Sequence, residues 1–190
     1  MADSLDQKRL ECWDIAVHAF GTARIFEERA KKLKINLKWI TFFGIGVPMS
    51  VGGVLMAFGL NSAYLPIAMT TASVLGVFQL IFSLWSLVSR WEDNLSYSLE
   101  SGSLNHRISR NFKSLAIDPP SNQEVFRMRF EILSVEEANR NDLDNKQGIT
   151  EKERRMGMRA ALREFKRPCA GCKEIPTSMK ATDCNICGNF

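Results

Sequence analysis

Four cysteines near the C-terminus form the pattern in this sequence that points most directly to chemistry. Cys169 and Cys172 make one CxxC pair, Cys184 and Cys187 make a second, and eleven residues separate the pairs. Each pair presents two sulfur atoms from one tight turn, so two pairs supply the four thiolates of a tetrahedral zinc site. Four protein ligands leave no position for a reacting water, and the spacing therefore predicts a structural Zn²⁺ ion.

Two other uses of these cysteines remain open at this stage. Four thiolates also hold iron–sulfur clusters, and a CxxC pair can act as a redox dithiol. A thioredoxin-like dithiol needs a βαβ context, which the helical pattern of this chain does not offer. The fifth cysteine, Cys12, lies on an apolar stripe and is expected to be a small core residue.

The longest feature of the chain that precedes this tail is a segment without charged residues. Residues Trp39 to Ser89 contain no Asp, Glu, Lys or Arg. A helix of about 20 apolar residues crosses the hydrocarbon layer of a membrane, so the segment is long enough for two crossings. We predict a transmembrane hairpin at 39–89, with spans at 39–60 and 63–89 and a turn at Asn61-Ser62. The alternative is a buried hairpin in a soluble domain, but core helices usually keep a polar face.

The charges around this hairpin predict its orientation. Basic residues are concentrated before the first span, Arg90 follows the second span, and the connecting turn contains no Lys or Arg. The basic residues before the first span are Arg24, Arg29, Lys31, Lys32, Lys34 and Lys38. The positive-inside rule then predicts a multi-pass protein of the cell membrane with both termini in the cytoplasm. This flank accounts for the net charge of +4. We expect no direct nucleic-acid binding, because no other basic cluster is interleaved with aromatics.

Each predicted span carries a distinctive strip of residues. Small residues let helices approach closely in lipid, and in the first span they share one face: Gly46, Ser50, Gly53 and Ala57. This strip could pack against the second span or mediate self-association into an oligomer. The second span carries a polar strip of Gln79, Ser83 and Ser86. A glutamine is costly to leave facing lipid, so the strip predicts either an interhelical hydrogen bond or the lining of an assembled pore.

The flanking segments predict an all-α membrane protein. Residues 1–38 form an amphipathic helical segment with Gly21 as a weak point; it either packs on the downstream helices or lies at the membrane surface. Residues 90–167 are cytoplasmic helices, broken at Asp118-Pro119-Pro120 and at a polar turn over 139–148. Capping boxes are predicted at Ser121 and Thr150, and an apolar stripe follows the first of them: Val125, Met128, Ile132, Val135 and Ala138. Residues 168–190 form the zinc-binding tail.

The sequence offers little to support an enzyme. His18 and His106 are the only histidines, they lie far apart, and neither stands beside a nucleophile motif. The polar segments contain no glycine-rich phosphate loop and no convincing pair of catalytic carboxylates. We therefore predict no catalytic residues.

The charged N-terminal helix, the two-span hairpin, the cytoplasmic helices and the CxxC-x11-CxxC tail together resemble the SLATT-type proteins of bacteria. The tail cysteines Cys169, Cys172, Cys184 and Cys187 are the specific part of this resemblance. It implies a membrane-disrupting effector of a mobile-element or antiphage conflict system, located in the bacterial inner membrane. It also implies a partner sensor encoded nearby that triggers homo-oligomerisation and pore formation.

Three hypotheses follow for the function. The first is the pore-forming effector. The second is a membrane-anchored adaptor whose zinc tail and helices recruit a cytosolic partner. The third is a redox or metal sensor that uses the four thiolates.

Overall fold

The computed structural model describes residues 2–58 and 65–190, and the regular secondary structure in this part of the chain is all α-helix, as predicted. The helices are α1 (Ala2–Phe58), α2 (Leu65–Val88), α3 (Trp91–Ile117), α4 (Gln123–Asn145) and α5 (Glu151–Glu164). The predicted turn at Asn61-Ser62 and the ends of the two spans beside it lie outside the described residues. The chain divides into two compact units, one of Met1–Glu28 with Ser98–Phe190 and one of Arg29–Tyr97.

The first unit packs the beginning of α1 on α3 and α4 around an apolar core. Its fully buried members include Cys12 and Ala16 of α1, Phe112 of α3 and Phe126 of α4. The Ser109 hydroxyl of α3 donates a hydrogen bond to the Ala16 carbonyl of α1 at 2.7 Å. Residues of the N-terminal segment up to Glu28 therefore pack on the downstream helices, which is one of the two uses that the sequence left open.

A buried polar network joins α3 to α4. Asp144, only 1% exposed, accepts hydrogen bonds from the Ser101 hydroxyl at 2.8 Å, the Asn105 amide at 2.6 Å and the Arg140 guanidinium at 2.8 Å. The predicted polar turn over 139–148 is wrong for residues 139–145, because α4 continues to Asn145. These polar side chains do not mark a loop, since they satisfy one another inside the first unit.

The helix boundaries follow local capping chemistry. The Asp118-Pro119-Pro120 break is confirmed, because α3 ends at Ile117. The cap of α4 is Asn122 and not Ser121: the Asn122 side chain accepts a hydrogen bond from the Glu124 N–H at 2.8 Å. At α5 the predicted capping box is present, with Thr150 and Glu153 bonded reciprocally.

Gly21 does not break the N-terminal helix, although glycine is a weak point in a helix. It is instead a contact point between two helices. Helix α1 runs through it without interruption. Gly21 faces Gly157 of α5, and a Cβ added to Gly157 would lie 2.6 Å from the Gly21 carbonyl oxygen. The two helices cross at a distance that only glycine permits, so these glycines fix where α5 sits on α1.

The second unit consists of α1 from Arg29 onward, α2 and the first residues of α3. Both helices contain segments that are long and apolar enough to cross a membrane by length and composition, and no residue in those segments is buried. Large apolar side chains are extensively exposed, among them Met56 at 92% and Val88 at 78%. Pro48 lies inside α1.

Candidate functional site

The four tail cysteines converge in a loop region that follows α5. Their sulfur atoms all lie within 4.8 Å of one another. Two pairs are closer still: Cys169 Sγ lies 3.9 Å from Cys184 Sγ, and Cys172 Sγ lies 3.8 Å from Cys187 Sγ. Each close pair joins one cysteine from each CxxC segment, so the eleven-residue connection folds back and brings the segments together.

Both CxxC segments use the same backbone turn. The Lys173 N–H donates to the Cys169 carbonyl at 2.9 Å, and the Gly188 N–H donates to the Cys184 carbonyl at 2.9 Å. The N–H of the residue two positions after the first cysteine points to its sulfur in each case, at 3.4 Å from Gly171 and 3.5 Å from Ile186. A Cβ on Gly188 would lie 2.3 Å from the Thr182 carbonyl oxygen, so the second turn requires glycine there.

This geometry fits a tetrahedral metal ion. Zinc–sulfur bonds of about 2.3 Å in a regular tetrahedron place the sulfurs about 3.8 Å apart. Two of the sulfur–sulfur distances, 3.8 and 3.9 Å, match that edge length. The predicted grouping of the four cysteines into a candidate metal site is therefore confirmed.

The two sides of the cysteine cluster differ in burial and electrostatics. Cys169 and Cys187 are fully buried, Cys184 is half-buried and Cys172 is exposed. Hydrogen bonds from backbone N–H groups, first that of Cys187 and then that of Ile186, lower the pKa of the Cys184 thiol to about 6. Burial raises the pKa of the Cys187 thiol. A coordinated cation would deprotonate the thiols outright and remove this asymmetry.

Arg159 of α5 holds the cluster on the helix. It is 7% exposed, and its guanidinium donates to the Ser178 carbonyl at 2.8 Å and to the Cys187 carbonyl at 3.2 Å. The same guanidinium lies 3.9 Å from Cys187 Sγ. A buried cation beside a thiolate stabilises it and orients the ligand. The sequence analysis missed this residue, because one arginine among several in a charged helix gives no signal of its own.

A sequence profile of mobilome CxxCx(11)CxxC proteins matches residues 9–190. The chain belongs to this family. The family is named for the spacing that its cysteines have in this chain, and the match covers the helices as well as the tail. It does not itself assign the chain to the SLATT-type proteins. No curated protein and no solved structure matches the chain significantly.

In this member of the mobilome family, the small-residue strip of the first predicted span has free space beside it. Ser50, Gly53 and Ala57 are exposed. A Cβ added to Gly46 or Gly53 would meet no described atom within 4 Å. The Ser50 hydroxyl bonds back to the Gly46 carbonyl at 2.7 Å, which satisfies it within α1. An apolar crevice of about 430 Å³ separates this part of α1 from α2.

The polar strip of α2 faces α1. Gln79, Ser83 and Ser86 are half-buried on the side of α2 that is least exposed. The Gln79 amide donates a hydrogen bond to the Ile40 carbonyl of α1 at 2.8 Å. A Cβ on Gly44 would lie 3.2 Å from that amide nitrogen, so Gln79 crosses α1 beside a glycine. The interhelical hydrogen bond is thus the arrangement found in the single chain.

Proposed function

We propose that this protein is a pore-forming, membrane-disrupting effector of a bacterial conflict or antiphage system. The observation that carries the proposal is the pair of apolar helices in the second unit. Between Trp39 and Ser89 they have no charged residue, and α2 has no buried residue. Apolar surface of this extent is unfavourable in water, by about 25 cal/mol for each Å², and a bilayer removes that cost.

Charge sets the proposed topology. The basic approach to the first span and Arg90 after the second favour a hairpin with both ends in the cytoplasm of a bacterial cell. The cysteine cluster then lies in a reducing compartment, where thiolates bind zinc in preference to forming disulfides. We propose a structural Zn²⁺ ion held by Cys169, Cys172, Cys184 and Cys187.

Oligomerisation is proposed through the small-residue strip of α1. Gly46 and Gly53 make no close contact in the single chain, and Ser50 and Ala57 flank them on the same helix face. In lipid, a smooth surface of this kind allows a helix of another copy to approach closely. Gln79, Ser83 and Ser86 are the polar side chains available to line a pore, and assembly that moves α2 away from α1 would turn them toward water.

The context of the family supports a conflict role. Its description refers to the mobilome. The resemblance to SLATT-type proteins implies that a sensor encoded nearby triggers assembly. We therefore propose that this chain is the membrane-acting partner of such a sensor.

Dye uptake by bacteria tests this proposal. The parent and a Gly46→Leu/Gly53→Leu variant would be induced at matched membrane abundance, each alone and together with the genes that flank it. Gly52→Leu is the control, because Gly52 also has open space around it but lies off the strip. We expect uptake with the parent and with Gly52→Leu and loss of uptake with the double variant. Equal uptake with the double variant would exclude the strip as the assembly surface, and no uptake in any arm would contradict a pore.

The second candidate is a membrane-anchored adaptor. It is favoured by an open cavity of about 540 Å³ beside the cysteine cluster, bordered by Arg159, Glu174, Pro176 and Thr182. A cavity of this size and mixed polarity suits a side chain or loop of a cytosolic partner. Affinity capture with and without residues 168–190 distinguishes the candidates: an adaptor loses its partner when the tail is deleted, and Gly46→Leu/Gly53→Leu leaves capture unchanged.

A further inference from the structure

Helix α4 carries two apolar faces, and only one of them is used inside the first unit. Phe126 and Phe130 point into the core. The opposite face exposes large apolar side chains, with Met128 at 55%, Ile132 at 62% and Val135 at 63%. These three belong to the stripe that the sequence periodicity identified. The stripe correctly predicted a helix, but the residues that pack into the core are Phe126 and Phe130 and not the stripe itself.

The exposed face has the spacing of a coiled-coil seam. Numbered as a heptad, α4 has Val125, Ile132 and Asn139 at a positions and Met128 and Val135 at d positions. We call these five residues the outer stripe. β-Branched residues at a favour two-stranded parallel coiled coils, and a single Asn at a specifies register and pairing. The core residues Phe126 and Phe130 fall at positions b and f, on the other side of the helix.

One charge pair beside the outer stripe fits a parallel arrangement. Glu124 occupies position g and Arg129 position e, five residues later, and both are exposed. In a parallel pair these two positions meet across the interface, so Glu124 of one copy faces Arg129 of the other. In an antiparallel pair the g positions would meet each other and bring Glu124 close to Glu131.

Glu131, at the second g position, would face a carboxylate whose charge is partly neutralised within its own chain. Glu131 at g would face Glu136 at e of a parallel partner. Glu136 is already bonded to Arg107 of α3, with Nη2 2.5 Å from Oε1. The Arg107 side chain is 54% exposed, and this contact keeps its guanidinium beside the Glu136 carboxylate that Glu131 of the partner would approach. A cation at that point offsets the repulsion between them.

We propose that a second copy of this chain docks on the outer stripe of α4 in parallel orientation. The surface lies in the polar first unit and is separate from the small-residue strip of the hairpin. It deepens the proposed function by giving the oligomer a contact outside the membrane, and it rests on that function for the membrane tether. Two heptads associate weakly in free solution, and tethering in a membrane raises their effective concentration.

Site-specific photo-crosslinking in membranes tests this contact in the full chain. The photoreactive residue p-benzoylphenylalanine is placed at position 132 on the outer stripe or, as the matched control, at position 127. Arg127 is exposed on the same helix but occupies position c. The expected result is a crosslinked dimer from position 132 and none from position 127. No dimer from position 132, or equal dimer from both positions, overturns the proposal.

A substitution adds an independent test with the crosslinker at position 128. Val135→Glu places a carboxylate in the seam, and Arg127→Glu is the control, because it places a carboxylate on the same helix outside the seam and makes the larger change in charge. We expect loss of the dimer with Val135→Glu and retention with Arg127→Glu, while circular dichroism shows unchanged helix content for both. Retention of the dimer with Val135→Glu contradicts the proposal. A crosslinked dimer without dye uptake would contradict the proposed pore and support the α4 contact. Dye uptake without a crosslinked dimer would support the pore and contradict the α4 contact.

Discussion

Gly157 of α5 contacts Gly21 of α1 so closely that a Cβ on Gly157 would lie 2.6 Å from the Gly21 carbonyl oxygen. The same added atom would lie 2.9 Å from Ile25 Cγ1. Since α5 leads directly to the loops that hold the cysteines, this crossing determines where the metal site sits in the first unit. The Gly21 backbone, together with the Ile25 side chain, occupies the space that a methyl group would need.

Gly157→Ala should therefore destabilise the first unit. Overpacking of this kind typically costs about 1–3 kcal/mol, more than the gain from alanine's helix propensity. The control is Gly102→Ala in α3, where the nearest atom to an added Cβ is Glu27 Cγ at 3.5 Å, an ordinary contact. Thermal unfolding followed by circular dichroism should rank Gly157→Ala below the parent and Gly102→Ala at or above it. The opposite order would exclude a tight crossing.

Removal of Asp144 should be among the most damaging changes in the first unit. Asp144→Ala leaves the Arg140 guanidinium, 6% exposed, without its buried carboxylate, and such a loss costs about 3–5 kcal/mol. Glu100→Ala removes the other carboxylate near Arg140, 3.6 Å away and 64% exposed. That change should cost about 0–1 kcal/mol. Urea unfolding compares the two, and equal losses would show that burial does not set the strength of this network.

Arg159 should control metal affinity without being a ligand. Arg159→Ala removes the donors to the Ser178 and Cys187 carbonyls and the cation beside Cys187 Sγ. Loss of such outer contacts lowers metal affinity by roughly 10–100-fold. Arg155→Ala is the control, because the half-buried Arg155 side chain donates its hydrogen bond to the Asn189 carbonyl at 3.3 Å, outside the cysteine cluster. Chelator competition should separate the variants; unchanged zinc affinity for Arg159→Ala would contradict the role.

Metal removal should expose four thiols and leave the fifth protected. We expect one zinc per chain and, because chelation unfolds the tail and ends the burial of its cysteines, alkylation of Cys169, Cys172, Cys184 and Cys187 at neutral pH after the metal is removed. Cys12 should stay unmodified until the chain unfolds, because burial, with the charge of Glu11, raises the pKa of its thiol to about 11. Mass spectrometry counts the modified residues. Iron in place of zinc, or zinc release by mild oxidant, would support the cluster or sensor alternatives.

The helices could be predicted from periodicity and local signals. Which face of each helix packs into the core could not be predicted. Helix α4 has two apolar sets at helical spacing, one through Phe126 and Phe130 and one through Met128 and Ile132. Periodicity detects both but does not tell which set meets the core. Volume and the position of α3 decide that, and neither is visible in a local window.

The candidate metal site was predictable because its chemistry is local. A CxxC pair fixes two ligands within one turn, so the spacing of the cysteines alone indicated the grouping. Arg159 and the Asp144 network were not predictable, because their partners lie 28 and 43 residues away in sequence, at Cys187 and Ser101. Polar residues near Asn139 indicate a turn when read locally, and the burial of one ion pair among them, Arg140 with Asp144, reverses that interpretation.

Dye release from liposomes is the most direct test of the central claim, that copies of this chain assemble to open a membrane. Purified zinc-loaded protein would be reconstituted at increasing protein-to-lipid ratio, with and without the products of the genes that flank it, and with Gly46→Leu/Gly53→Leu and Gly52→Leu in parallel. We expect release that rises more steeply than protein density for the parent and for Gly52→Leu, and little release for the double variant. No release by the parent at any ratio, or equal release by all three proteins, would contradict it.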